Sequence, residues 1–202
     1  MKLSAIILSG GESRRMGTPK ALLEAPGSSE TFLDRLIRVF RAQCAPVIVV
    51  LGHEADRIRA GAARADEAVF VVNERYREGQ LSSLQCGVRA VPPEAEGFLF
   101  TPVDIPMVAP GTVAALAGAL AREDGRALVA LPRCAGRHGH PVCCRRAIGE
   151  ELLTLAPGAQ ARDVIHRHAA QTCYVDVDDP GILRDIDDPA AYQAMFEPSE
   201  SK

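Results

Sequence analysis

No apolar run in these 202 residues approaches the roughly 20 that a membrane-spanning helix needs. The opening, Met1-Lys2-Leu3-Ser4-Ala5-Ile6, has too short an apolar part for a secretion signal, so the chain is expected in the cytoplasm. Excess basic charge is also missing. The net charge is −3, which argues against a dedicated nucleic-acid binder while leaving room for a local basic pocket. Six cysteines (Cys44, Cys86, Cys134, Cys143, Cys144 and Cys173) contain no Cys-x-x-Cys pair, so no disulfide framework is written here. Cys134, His138, His140, Cys143 and Cys144 crowd into eleven positions. Their spacing fits no standard zinc pattern, and cysteine commonly serves as a small buried hydrophobe. There is no internal repeat and no long linker. A 47% hydrophobic composition supports one sizeable core. The expected domain is 1–196, with 197–202 as a polar tail.

What is present is an alternation of short apolar runs and amphipathic stretches. Runs at 5–9, 47–51, 69–72, 98–101 and 128–131 read as strands. Val47-Ile48-Val49-Val50-Leu51 is wholly aliphatic, as in a strand covered on both faces. Phe32, Leu33, Leu36, Ile37 and Phe40 recur at three- and four-residue spacing and predict a helix over 32–44. Further helices are expected over 54–63, over 84–91 with Ser82-Ser83 as its cap region, and over 110–123 with Pro110 near its start. Strands at 141–144 and 173–177 and helices at 147–155, 161–168 and 189–196 complete the pattern. It predicts a single α/β domain of three layers, α/β/α, around a mostly parallel sheet. Ligands of such sheets bind beyond the carboxyl ends of the strands. That rule puts the residues after Leu8 and after Phe100 on one rim.

The first of those segments reads Ser9-Gly10-Gly11, then Ser13-Arg14-Arg15-Met16-Gly17-Thr18-Pro19-Lys20. Glycine lets backbone N–H groups approach a polyphosphate, and the cations offset its charge. Each cation–phosphate pair at ~4 Å is worth roughly 4 kcal/mol at an effective dielectric near 20, before desolvation. The segment is no Walker A loop, since Gly17 is not followed by Lys-Ser/Thr, and it lacks the third spaced glycine of a dinucleotide fingerprint. Leu8, Ser9, Gly10, Gly11, Arg15 and Lys20 are the candidate nucleotide-binding residues. Arg15 suits two-point contact with phosphate oxygens, and Lys20 acts as a point charge. On the same rim, Asp104 stands between Pro102 and Pro106. A nucleoside triphosphate is handled as its Mg2+ complex, and Asp104 is the candidate carboxylate for that ion. Asp185-Ile186-Asp187-Asp188-Pro189 offers a second metal ligand, Asp187 or else Asp185, and an N-cap in Asp188. The acidic run at 176–179 shows strand alternation running into a loop and reads as mostly solvated surface.

Leu8-Ser9-Gly10-Gly11, Ser13-Arg14-Arg15-Met16-Gly17 and Lys20 resemble the signature of the molybdenum-cofactor nucleotidyltransferases, the cytidylyl- and guanylyltransferase group. The likeness continues through Asn73, Gly79, Ser82-Ser83-Leu84 and Gly87, then Asp104-Ile105-Pro106 and Gly139-His140-Pro141-Val142. It ends in Gly158, Ala161, Arg162 and Asp185-Ile186-Asp187-Asp188-Pro189-Ala190-Ala191-Tyr192. Gly139-His140-Pro141-Val142 is typical of the cytidylyl branch, whereas Gly10 replaces an alanine usual there and is the residue of the guanylyl branch. The resemblance implies a Rossmann-like fold of the nucleotide-diphospho-sugar transferase type. It implies transfer of a nucleotidyl group, CMP first and GMP as the alternative, to the phosphate of a molybdopterin-type acceptor, with pyrophosphate released. Arg15, Lys20 and Asp104 would be catalytic, Asp104 and Asp187 would hold Mg2+, and Ser82, Ser83 and His140 would face the acceptor. CTP or GTP, the acceptor and a recipient molybdoenzyme are the implied partners; nucleic acid and membrane are not. Two other readings stand beside it: a nucleotidyltransferase for another phosphorylated acceptor, and a non-catalytic nucleotide-binding or cofactor-insertion protein.

Overall fold

A computed structural model describes residues 1–122 and 126–197. Glu123, the expected last residue of one helix, and all of the expected tail except Glu197 lie outside the described residues. The strands are β1 (Leu3–Ser9), β2 (Val47–Leu51), β3 (Val69–Val72), β4 (Gly97–Pro102), β5 (Val129–Cys134), β6 (Arg137–His138), β7 (Val142–Arg145) and β8 (Thr172–Asp176). The helices are α1 (Phe32–Arg41), α2 (Ala55–Gly61), α3 (Gln80–Arg89), α4 (Pro110–Arg122), α5 (Arg146–Thr154), α6 (Ala161–Arg167) and α7 (Pro189–Gln193). All strands join one sheet in the order β3-β2-β1-β4-β7-β5-β6, with β8 paired to β5.

The sheet is parallel from β3 to β4 and again between β5 and β8; β7 pairs antiparallel with both β4 and β5, and β6 antiparallel with β5. Every residue of β1 is buried. Alternation sends Ala5 and Ile7 into a core with α1 and α4, and Ile6 and Leu8 into a second core with α3, α5 and α6. The three-layer domain is therefore as expected, with an antiparallel β7 set into the parallel sheet. The chain leaves β1 toward β2 and β3 on one side, then returns to β4 on the other. That reversal opens a crevice beyond the carboxyl ends of β1 and β4.

Several expected boundaries move by a few residues, the start of α3 the furthest. α3 starts at Gln80 after Gly79, whose φ of 102° suits only glycine, so Ser82 and Ser83 lie inside the first turn and do not cap it. The cause is Asn73, whose amide donates to Ser82 Oγ (2.9 Å) and Ser83 Oγ (3.1 Å) and draws that turn onto the end of β3. Further along α3, Gly87 presses on the sheet. A Cβ there would lie 2.5 Å from Ile6 Cγ2 and 3.0 Å from Val50 Cγ2. Gly87→Ala should therefore lower stability by about 1–2 kcal/mol, since overpacking outweighs the gain in helix propensity. Chemical denaturation checks this; a Gly87→Ala protein that resists denaturant better than the parent would show slack in that contact.

Candidate active site

The loop after β1 is shaped by two residues in the left-handed region, Ser13 (φ 48°) and Gly17 (φ 67°). The Ser13 carbonyl accepts from Met16 N (2.9 Å), and its hydroxyl accepts from Lys20 N (3.2 Å), so the loop folds back on itself. Lys20 then opens a short 3-10 turn whose Ala21 is fully buried, which anchors the far end of the loop. Gly10 is needed for close approach: a Cβ there would sit 2.9 Å from Ser83 Oγ. Around Gly11 there is open space.

Lys20 carries the geometry of the site. Its Nζ donates to Asp104 Oδ2 at 3.0 Å and to Asp187 Oδ1 at 2.6 Å. Arg15 Nη2 stands 3.7 Å from Asp187 Oδ2 and is largely exposed. Residues 84 and 167 positions apart in the chain thus meet at one ammonium. Two backbone ties hold them there: Val103 N donates to Leu8 O (3.0 Å), and Ile186 N donates to Asp104 O (2.8 Å). Ile186 is buried, and its neighbour Asp187 faces Lys20 while Asp185 is exposed. Asp188 caps α7 by accepting from Ala191 N (2.8 Å), as the sequence predicts.

The charges perturb one another. Burial raises the Asp104 carboxyl above its ordinary pKa, only partly offset by Lys20, with Asp187 and Asp185 adding repulsion. Burial works against the charge of Lys20, yet its bonds to Asp187 and Asp104 win and raise its pKa. The hydrogen bond from Lys20 lowers that of Asp187. The site therefore sets one cation between two carboxyl groups whose ionisation is shifted in opposite directions.

A cavity of about 470 Å³ is lined by Leu8, Ser9, Gly10, Gly11, Arg15, Lys20, Asp104 and Asp187, with Ser83 on its far wall. It brings together every residue expected at the nucleotide and the metal. The expected acceptor residues divide. Ser83 joins this cavity, but His140 lines a second one of about 700 Å³. Ser82 lies on neither, and its hydroxyl donates to backbone carbonyls (Arg75 O 2.9 Å, Gly79 O 2.8 Å). His140 packs edge-on to Phe100, and burial pushes its pKa down to about 4, so it meets a ligand as a neutral imidazole. The two cavities share Leu8, Gly79 and Gln80.

Sequence reasoning missed Tyr76, Gln80 and Tyr174, and it noted His138 only within the cysteine–histidine cluster weighed for zinc. Tyr76 packs against the Gly10 and Gly52 backbones. His138 and Tyr174 come together because β6 forms, through a tight reversal with positive φ at Ala135 and Gly136. That Ala-Gly pair beside a short apolar strand was the available signal. The acidic run at 176–179 is mostly at the surface, with Asp176 and Asp178 exposed, but its last residue departs from that reading. Asp179 is 7% exposed and accepts three hydrogen bonds, so this one residue of the run is a buried clamp.

A parallel half-sheet with a glycine loop, two cations and paired carboxylates at its carboxyl rim has the make-up of a site for a metal-bound nucleotide. More narrowly, the chain belongs to the MobA-like NTP transferase family, whose domain matches residues 5–172. A probable molybdenum cofactor guanylyltransferase of Mycobacterium avium (strain 104) is 30% identical over 112 residues, 54% of this chain and 53% of that one. The match thus spans about half the length of such curated relatives. The crystal structure of Rv0371c from Mycobacterium tuberculosis H37Rv shares 28% identity over 98% of both chains, with a TM-score of 0.81. A complex of that protein with manganese shares 26% identity over 97% of this chain and 98% of that one, TM-score 0.77. No helix among the described residues is long and apolar enough to cross a membrane.

Proposed function

We propose that this protein transfers a nucleotidyl group from a metal-bound NTP to the phosphate of a molybdopterin-type acceptor and releases pyrophosphate. The observation that supports it most is Lys20 held between Asp104 and Asp187, in the same cavity as Gly10 and Gly11. The two carboxylates that converge on Lys20, Asp104 and Asp187, are hard oxygen donors and would be the ligands of a divalent ion such as Mg2+. When bound, the metal would neutralise charge on the phosphates. The amides at Gly10 and Gly11 and the Arg15 guanidinium hold the triphosphate. Lys20 offsets charge building on the α-phosphate and the leaving pyrophosphate. The attacking phosphate is already ionised, so no side chain has to act as a base. Ser83 and the neutral His140 face the acceptor, while Ser82 organises the turn that carries Ser83.

CTP is the first choice of donor, on Gly139-His140-Pro141-Val142. GTP is a second reading, favoured by the name of the mycobacterial relatives and by the tight fit of Gly10 against Ser83. Purified protein given Mg2+, molybdopterin and each of CTP, GTP, ATP and UTP in turn should release pyrophosphate with one of the first two. No release with any of the four would leave a nucleotide-binding or cofactor-insertion role, and a recipient molybdoenzyme would then be sought by pull-down.

A further inference from the structure

The second cavity carries a recognition surface that the phosphate chemistry does not use. Its inner wall is apolar, built from Leu84, Phe100 and Leu131 among others. At its mouth the rings of His138 and Tyr174 stack, centroids 4.6 Å apart and planes 22° from parallel. Both residues are exposed, Tyr174 at 41%. The stack is held rigid from behind: Arg133 lies 5.8 Å over the Tyr174 ring, and its guanidinium donates to both carboxylate oxygens of Asp176 (2.6 and 2.8 Å). An exposed, braced aromatic pair is a platform for a flat ring.

The charge lining the cavity is one-sided. Arg162 faces it and pairs with no carboxylate among the described residues. Glu78 is the one acidic residue on its wall among those described, and it is tied to Arg75 by two bonds of 2.8 and 2.6 Å. A ligand that suits these walls is flat and aromatic and carries an anionic group. Because Leu8, Gly79 and Gln80 are common to both cavities, such a ligand could present a group to a nucleotide in the first.

We propose that the His138 ring, backed by Tyr174, binds the planar nitrogen heterocycle of the acceptor by stacking, and that Arg162 pairs with its anionic substituent. This rests on the transferase reading above and names the residues that would set acceptor specificity. These are binding residues and take no part in the bond exchange.

The test uses 6-carboxypterin, flat, anionic and fluorescent, with neutral 6-methylpterin beside it. Binding is read by fluorescence, with nucleotide binding measured separately by calorimetry. Tyr174→Leu, which removes the ring that braces His138, should weaken 6-carboxypterin about tenfold, the scale of a lost stacking platform, and leave nucleotide affinity unchanged. Tyr174→Phe, which keeps the ring, should bind within about twofold of the parent. Arg162→Gln should weaken 6-carboxypterin and spare 6-methylpterin. Wild-type protein that fails to bind 6-carboxypterin would overturn the proposal, and so would Tyr174→Leu and Arg162→Gln proteins that bind it unimpaired. Either result leaves the transferase reading standing as long as pyrophosphate is released. Loss of pyrophosphate release with every donor is the separate failure of that reading.

Discussion

Asp104→Asn is expected to fold as the parent does and to lose about 10²–10³-fold in turnover, the scale of removing one preorganised charge from a transferring phosphoryl group. The substitution keeps the shape and an oxygen that can accept from Lys20, and it removes the charge. Stability should not suffer. Burial holds the Asp104 pKa above its unfolded value, so the ionised carboxylate costs the folded state stability. That cost grows as pH rises through the window between the two values, and it is full above the raised one. An amide has no such cost, and Lys20 keeps Asp187 as a partner at 2.6 Å. Asp187 works in the opposite sense. Its pKa is depressed, so its contribution is present at neutral pH and fades as acid protonates it. Paired measurements of pyrophosphate release and thermal unfolding at neutral pH separate chemistry from folding. Undiminished turnover in the Asp104→Asn protein would remove Asp104 from the mechanism.

Much of this site could be read from the sequence because the rule that locates it is topological. Apolar runs gave β2 and β3 at their observed limits: β2 is covered on both faces and is written as an unbroken aliphatic stretch, while β3 is an edge strand of β-branched and aromatic residues. Once β1 and β4 were parallel neighbours, residues following Leu8 and Phe100 had to share a rim, and Lys20 and Asp104 do meet there. What could not be read depends on direction and on distant partners. Apolar periodicity is the same for a strand running either way, so the antiparallel setting of β7 was invisible. Ser82 and Ser83 have the chemistry of a cap, and only the Asn73 amide turns them inward. His138 and Tyr174 belong to strands that both pair with β5, and nothing local to either residue announces the other.

Asp179 is the sharpest case of a distant partner, and its loss should be the most damaging single change outside the cavities. Its carboxylate accepts from Ala109 N (2.8 Å) and Thr112 Oγ1 (2.6 Å) at the start of α4, and from Gly181 N (3.0 Å). The adjoining Gly181 has no room for a side chain, because a Cβ would lie 2.3 Å from Met107 O. These contacts fix the C-terminal segment against the β4–α4 connection. From there the chain reaches Ile186 N, which bonds to Asp104 O, and then Asp187. Asp179→Ala strands three donors in a buried place and should cost about 3–4 kcal/mol, since bonds to a charged acceptor are worth more than neutral ones. Thr112→Val removes one of the three and should cost about 1 kcal/mol. The double variant should fall short of the sum, because the Thr112 bond is already gone when Asp179 is absent. Denaturant midpoints of the four proteins measure this cycle. At a temperature where Asp179→Ala still folds, its turnover should drop as well, because Asp187 loses its anchor. Additive losses in the cycle, or a variant as stable as the parent, would show that Asp179 is not the clamp joining these two segments.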